Sequence, residues 1–296
     1  MSLPTRTPAS MALTLSLAMI AVAPDAHAYC RTTTCDPDGP LCEPMEGEAC
    51  GEPLYWGRPC VGFALQRDAS MQIDYETARQ VTYDSIATWM AADCGSGEFP
   101  SIRLIDMGPA ACNRGEYNRA AGNVNLIVFY DERWPHPSSQ QIALTTVTFQ
   151  VATGEIFDVD IEVNTDDHEL TVSETEGYDF QSVMVHELGH FFGLSHSAVE
   201  GATMQSEYTP TLRNLAADDM AGICAIYPQS DALPLESDPA CNPIPRNGFS
   251  PLCAADQVPP TCSATQGRLP SAPATAASAA SALLIAAALL LRRARR

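Results

Sequence analysis

The chemistry legible in this chain sits in eleven consecutive residues, His186-Glu187-Leu188-Gly189-His190-Phe191-Phe192-Gly193-Leu194-Ser195-His196, which read H-E-x-x-H-x-x-G-x-x-H. His186 and His190 are four apart, so on a helix they share one face, a turn apart. Both imidazoles can then reach a single ion. Glu187 follows the first ligand and projects beside the metal instead of binding it. Gly193 can take φ > 0 and end the helix. The chain then turns back, and His196 comes round as a third nitrogen ligand. Three protein ligands plus one open position is the pattern of a catalytic zinc, since a structural zinc is usually closed by four.

These side chains need a rigid carrier. Asp179 is a natural N-cap for the helix that bears the motif, and Phe180, Met184 and Leu188 give that helix a buried row. Upstream, Cys60 to Gln66 reads as a first strand. Asp74 to Met90 reads as a long amphipathic helix, with Ala78, Val81, Ser85 and Trp89 in one row and Thr82, Ile86 and Met90 in the next. Ser101 to Met107 and Asn123 to Tyr130 are strand candidates separated by a loop. Ile142 to Phe149 is another strand, and Thr153-Gly154 makes a turn into Glu155 to Val163. That last segment alternates, with Asp158, Asp160 and Glu162 on one face together with Ile156, and Phe157, Val159, Ile161 and Val163 on the other. Leu215 to Tyr227 is a final helix, stopped by Pro228.

The termini read differently. Residues 1–28 form an export signal: Arg6, then the apolar run Met11 to Val22, then the cleavage site Ala26-His27-Ala28. Residues 29–52 are rich in Cys, Pro, Gly and acid and resemble a small stapled segment without its own core. The ordered domain is expected over 53–228. Residues 229–273 read as a Pro/Ser-rich spacer outside the core. Residues 274–296 hold an Ala/Leu-rich run closed by Arg292-Arg293-Ala294-Arg295-Arg296, which fits a membrane segment with a cytoplasmic positive end.

Composition narrows the functional classes. The chain has 296 residues, 36 acids against 16 basic residues, and no lysine. That acidic balance argues against nucleic acid as a partner. Eleven cysteines beside an export signal read as disulfides of an oxidising compartment. Sequence does not give the connectivity; Cys94 with Cys112 reads as a local bridge, and Cys60 with Cys224 as a tie between the first strand and the last helix.

The zinc motif is that of the metzincins, and the residues after it narrow the resemblance. Met204, in Ala202-Thr203-Met204, stands where metzincins carry the methionine turn beneath the metal, and Tyr208 lies four residues on. Leu215 to Tyr227 resembles the matrixin helix motif L-x-x-D-D-x-x-G-I-x-x-x-Y, with Asp218-Asp219 as its acidic pair. From Pro53 to Pro228 the chain therefore resembles the matrixins, the matrix metalloproteinase family. The resemblance implies an α+β metzincin (zincin-like) catalytic domain: a twisted five-stranded mixed sheet, long helices, and a small C-terminal subdomain after Gly193. It also implies a protein or peptide substrate paired along the edge strand Ala143 to Phe149, and Tyr208 walling the S1′ pocket. Asp158, Asp160 and Glu162 stand where matrixins place calcium ligands; a solvated strand face is the alternative.

Two departures from the family are visible. No P-R-C-G-x-P-D switch precedes the domain, so latency by that route is unsupported. The family's structural zinc site needs three histidines and an aspartate, and only His136 and His168 remain, so that site is not expected. The C-terminal tail, with Cys262 ahead of the apolar run, resembles the sorting signal of myxobacterial exported proteins.

The expected activity is that of an exported zinc metalloendopeptidase. His186, His190 and His196 hold zinc, and Glu187 assists zinc-bound water in attacking a peptide bond. The alternatives are a catalytically relict metzincin that serves as a surface-anchored binding or adhesion protein, and a narrow non-proteolytic amidase.

Overall fold

The structure is a computed structural model that describes residues 29–35, 51–173, 176–228 and 241–257. Its elements are β1 (Cys60–Leu65), α1 (Tyr75–Met90), β2 (Arg103–Asp106), β3 (Leu126–Tyr130), β4 (Ala143–Phe149), β5 (Ile156–Asn164), β6 (Leu170–Thr171), β7 (Tyr178–Asp179), α2 (Phe180–Phe191) and α3 (Ala217–Ile226). Five strands form one sheet in the order β2-β1-β3-β5-β4, and β6 and β7 form a small second ladder. β1, β2, β3 and β5 run parallel, and β4 joins antiparallel at the edge. This is the α+β architecture expected, with a mixed five-stranded sheet.

The parity of each strand decides its two faces. Val61, Phe63 and Leu65 of β1, Ile127 and Phe129 of β3, and Val159, Ile161 and Val163 of β5 belong to the main core with α1 and α2. Both rows expected for α1 are buried as far as Trp89. The Trp89 indole N–H donates to the Val185 carbonyl at 2.8 Å and ties α1 to α2. Asp74 caps α1 by accepting from Thr77 N–H, and Asp179 caps α2 by accepting from Ser182 N–H. Both caps satisfy a donor that the first helical turn would otherwise leave unpaired.

The opposite face of the sheet is covered too. Ala64, Leu126 and Val128 pack there with Ala110, Cys112 and Cys253. Residues 241–257, read from the sequence as part of a spacer, return to this layer. Gly62 N–H donates to Pro243 O at 3.0 Å, and Asn123 bridges Phe249. A disulfide holds each end of the returning segment: Cys241 to Cys60 and Cys253 to Cys112. Another bridge joins Cys94, just past α1, to Cys224 in α3.

Both expected pairings are thus corrected. Cys94 bonds Cys224 rather than Cys112, and Cys60 bonds Cys241 rather than Cys224. For Cys94, proximity in sequence was the wrong guide. Ser101 N–H donates to Tyr227 O, so the chain leaving α1 runs beside the end of α3. Cys112 instead lies in the loop that meets the returning segment, where Ala111 and Cys112 N–H both donate to Pro251 O.

The solvated-face alternative for β5 is also corrected. Asp158, Asp160 and Glu162 are all buried. They share the second face with Leu126 and Val128, and the 108–122 loop covers them. A Cβ on Gly115 would stand 3.1 Å from Asp160 Cβ and 3.2 Å from the Glu162 carboxyl carbon.

No helix of the described residues is long and apolar enough to cross a membrane. The expected export signal (1–28), most of the Cys-rich segment and the Arg-ended tail (274–296) lie outside the described residues.

Candidate metal centre and active site

α2 delivers His186, Glu187 and His190, and the turn after it delivers His196. The three imidazoles converge: their candidate ligand atoms all lie within 4.8 Å of one another. His186 Nε2 and His190 Nε2 are 3.2 Å apart. His186 Nδ1 meets the Thr203 carbonyl at 2.8 Å, and His190 Nδ1 meets the Leu194 carbonyl at 2.9 Å. A carbonyl only accepts, so each Nδ1 carries the proton. Each Nε2 therefore presents a lone pair. Two facing lone pairs repel unless a cation lies between them. Nitrogens bound tetrahedrally at the usual zinc distance are about 3.3 Å apart, so the donor set fits zinc. Burial and the neighbouring imidazoles hold His190 well below the ordinary histidine range, and burial and His186 bring His196 to about 4. Neutral imidazoles are what a metal site requires.

The floor of the site explains the residues after the motif. Met204 is buried beneath α2, and a Cβ on Gly189 would collide with its Sδ. Gly189 is therefore the residue that lets the methionine turn approach the helix. Asp219, at the start of α3, accepts from Thr203 N–H at 2.8 Å, Met204 N–H at 3.1 Å and Ala216 N–H at 2.8 Å. Asp218 accepts from Ser197 Oγ at 2.6 Å. The acidic pair thus staples the methionine turn and the segment after His196 to α3. In doing so it fixes Thr203, whose carbonyl orients His186.

Gly193 has φ of +97°, and a Cβ there would stand 2.7 Å from Leu54 O. Both constraints demand glycine at the turn. The close approach arises because the N-terminal residues lie against this turn. Thr32 N–H donates to Gly193 O at 3.0 Å, Ser195 N–H donates to Cys30 O at 2.9 Å, and Arg31 bridges Leu194. Nothing in the sequence pattern marked residues 30–33 as part of the site.

Tyr208 accepts from Asp179 N–H at 2.8 Å and packs edge-on against Tyr178 at 5.0 Å between ring centroids. Arg213 makes a two-pronged ion pair with Asp179, at 2.8 and 2.7 Å. Burial pushes the Asp179 carboxyl up, but Arg213 and Ser182 outweigh it and hold the group below its usual range. Tyr208 and Arg213 therefore fasten the loop after the methionine turn to the cap of α2.

Glu187 is buried. Burial holds its carboxyl above the usual range, against the pull of His186 and of a hydrogen bond from Thr145. The β5 carboxylates lie elsewhere. Neighbours two apart on a strand are roughly 7 Å apart, so Asp158, Asp160 and Glu162 are spread along β5. Among the described residues they do not form a three-ligand cluster. Glu162 is already satisfied by Tyr130 Oη, His136 Nε2 and Thr146 Oγ1. Asp160 accepts from Leu126 N–H, while Asp158 Oδ1 is buried without a partner. The other near grouping, Cys112, Glu116 and Cys253, is no thiolate site, because the two cysteines are bonded to each other.

The fold and the histidine site resemble those of the matrixin-like metzincins, and comparison with known sequences agrees over part of the chain. Residues 120–228 match the family described as Matrixin. The chain is 37% identical over 73 residues to Metalloendoproteinase 1-MMP of Arabidopsis thaliana, covering 24% of this chain and 20% of that protein. It is 46% identical over 55 residues to Metalloendoproteinase 1 of Glycine max, covering 18% of each. With human Stromelysin-3 it shares 32% identity over 103 residues, 33% of this chain and 21% of that one. The chain spans about a fifth of the length of these relatives. At the level of the family the match is to metalloproteases, and the disulfides suit an extracellular compartment.

Proposed function

We propose that this protein is an exported zinc metalloendopeptidase in which Glu187 acts as general base. One observation supports this above the others: the two Nε2 lone pairs 3.2 Å apart, each backed by an Nδ1–H bound to a carbonyl, with the buried Glu187 between them in sequence. His186, His190 and His196 hold the ion. Zinc, when bound, supplies the Lewis acidity that makes water acidic near neutral pH and polarises a carbonyl. Glu187 takes the proton from the attacking water and delivers it to the departing amine.

The edge strand β4 has no strand on its outer side among the described residues. A substrate peptide adds there as a further strand, its main-chain groups pairing with those of β4. Tyr208, fixed to the cap of α2, walls the pocket for the side chain after the cut bond. Residues 1–28 act as the export signal, and 274–296 as the membrane or sorting segment. The domain proper runs from 53 to 228, with 241–257 disulfide-bonded to it.

The test is a digest of a denatured protein mixture by the purified secreted protein, with cleavage sites mapped by mass spectrometry. Cleavage within chains that stops on chelation and returns with zinc is the expected result. Intact substrates under zinc-replete conditions would favour a relict binding protein. Processing is checked by the mature N-terminus, expected at Tyr29.

A further inference from the structure

Glu187 has a partner on the strand above it. Thr145 Oγ1 lies 2.5 Å from Glu187 Oε2 and 3.3 Å from the Glu187 carbonyl. The hydroxyl has one proton, and the shorter contact places it on the carboxylate. Strand parity puts it there. Thr145 pairs with Ile161 across the β4–β5 ladder, and its neighbour Thr146 points to the opposite face and donates to Glu162 at 3.2 Å. Thr145 therefore projects toward α2. A β-branched residue is ordinary on a strand, and valine would fill the same space. What valine lacks is the donor that fixes one carboxylate oxygen.

We propose that Thr145 is a positioning residue for Glu187: its hydroxyl anchors Oε2 and leaves Oε1 to take the proton of the attacking water. Because Thr145 belongs to the free edge strand, it also links peptide docking to the orientation of the base. This rests on the reading of Glu187 as general base. A carboxylate held at one oxygen keeps the other in register with the reacting atoms, whereas an unanchored one samples orientations that cannot accept the proton. The hydrogen bond to a charged acceptor is of the stronger kind.

The test compares wild type, Thr145→Val and Thr145→Ser as zinc-loaded full chains on one peptide substrate. Thr145→Val lowers kcat on the order of tenfold, with KM unchanged, as expected for loss of a charged hydrogen bond. Thr145→Ser, which keeps the hydroxyl, recovers most of kcat. Zinc retention against a chelator is the same in all three, since Thr145 touches no ligand. Crystal structures of wild type and Thr145→Val supply a readout independent of activity: the Glu187 carboxylate turns or becomes multiple in the variant. Should Thr145→Val fold poorly, Thr145→Ala takes its place. Wild-type kcat in the variant, an effect confined to KM, or an unmoved Glu187 carboxylate would each overturn the assignment. A wild-type protein with no peptidase activity would instead overturn the proposed function, and the crystal comparison would then decide the role of Thr145.

Discussion

Thr32 and His190 donate to the same atom. His190 Nδ1 lies 2.9 Å from the Leu194 carbonyl oxygen, and Thr32 Oγ1 lies 3.0 Å from it. The N-terminal residues thus hold the carbonyl that sets the tautomer and tilt of a metal ligand. Partners of metal-bound histidines typically carry 10–100-fold in affinity. Thr32 stands one bond further out. Thr32→Ala is expected to weaken zinc binding by roughly threefold to tenfold, read by competition with a chromogenic chelator. Unchanged affinity would reduce residues 30–33 to packing.

Asp219 satisfies three backbone N–H groups with one carboxylate. Asp219→Ala leaves Thr203, Met204 and Ala216 without that acceptor, two of them buried. Each orphaned buried donor costs about 1–3 kcal/mol. A loss of roughly 3 kcal/mol or more in urea unfolding is expected, together with weaker zinc binding through Thr203 and His186. A small stability change would show that the methionine turn is held by packing alone.

Asp158 gives a pH dependence of definite sign. Burial, and then the nearby Glu116 charge, raise its carboxyl to about 8. Asp160 on the same face is raised as well, by burial and then by Asp158. Glu162, Tyr130 and His136 complete this surface. From about pH 4 to about pH 8 the folded chain keeps a proton on Asp158 that the unfolded chain has released. Stability is therefore full at the acid end of that window and falls as pH rises, by about 1.4 kcal/mol per pH unit for each such proton. Asp158→Asn flattens the slope by about one proton in melts across the window. A bound calcium ion would do the opposite, so a rise in melting temperature at pH 8 on adding millimolar calcium would assign the patch to a cation instead. A pH-independent melt in the wild type contradicts the protonated state.

Much of this site was legible because its signals are local. The four-residue spacing of His186 and His190, the cap at Asp179 and the apolar row through Phe180, Met184 and Leu188 each need only a helix to be read. The alternation of Glu155 to Val163 gave the faces of β5 correctly from Asp158 onward, but a register shift opposite Thr148 and Phe149 turns Ile156 into the main core and sets Phe157 against Arg246, the reverse of the expected sides. It did not give burial, because the cover on the acidic face comes from the 108–122 loop and the returning segment, which leave no mark in β5 itself. The same limit hid the disulfides. Their partners are 181, 130 and 141 residues apart, and no periodicity relates such distant positions. Thr145 and Thr32 were missed for that reason: a lone threonine on a strand has a structural explanation until the tertiary fold sets it against a carboxylate or a carbonyl.

The central claim is that Glu187 does chemistry beside a metal it does not hold. Glu187→Gln tests it most directly, with zinc content and kcat/KM measured on the same preparation. The expected protein keeps its zinc, keeps its melting temperature, and loses activity by about 10²–10⁴-fold. Full activity in that variant, or loss of zinc along with the activity, would contradict the role assigned to Glu187.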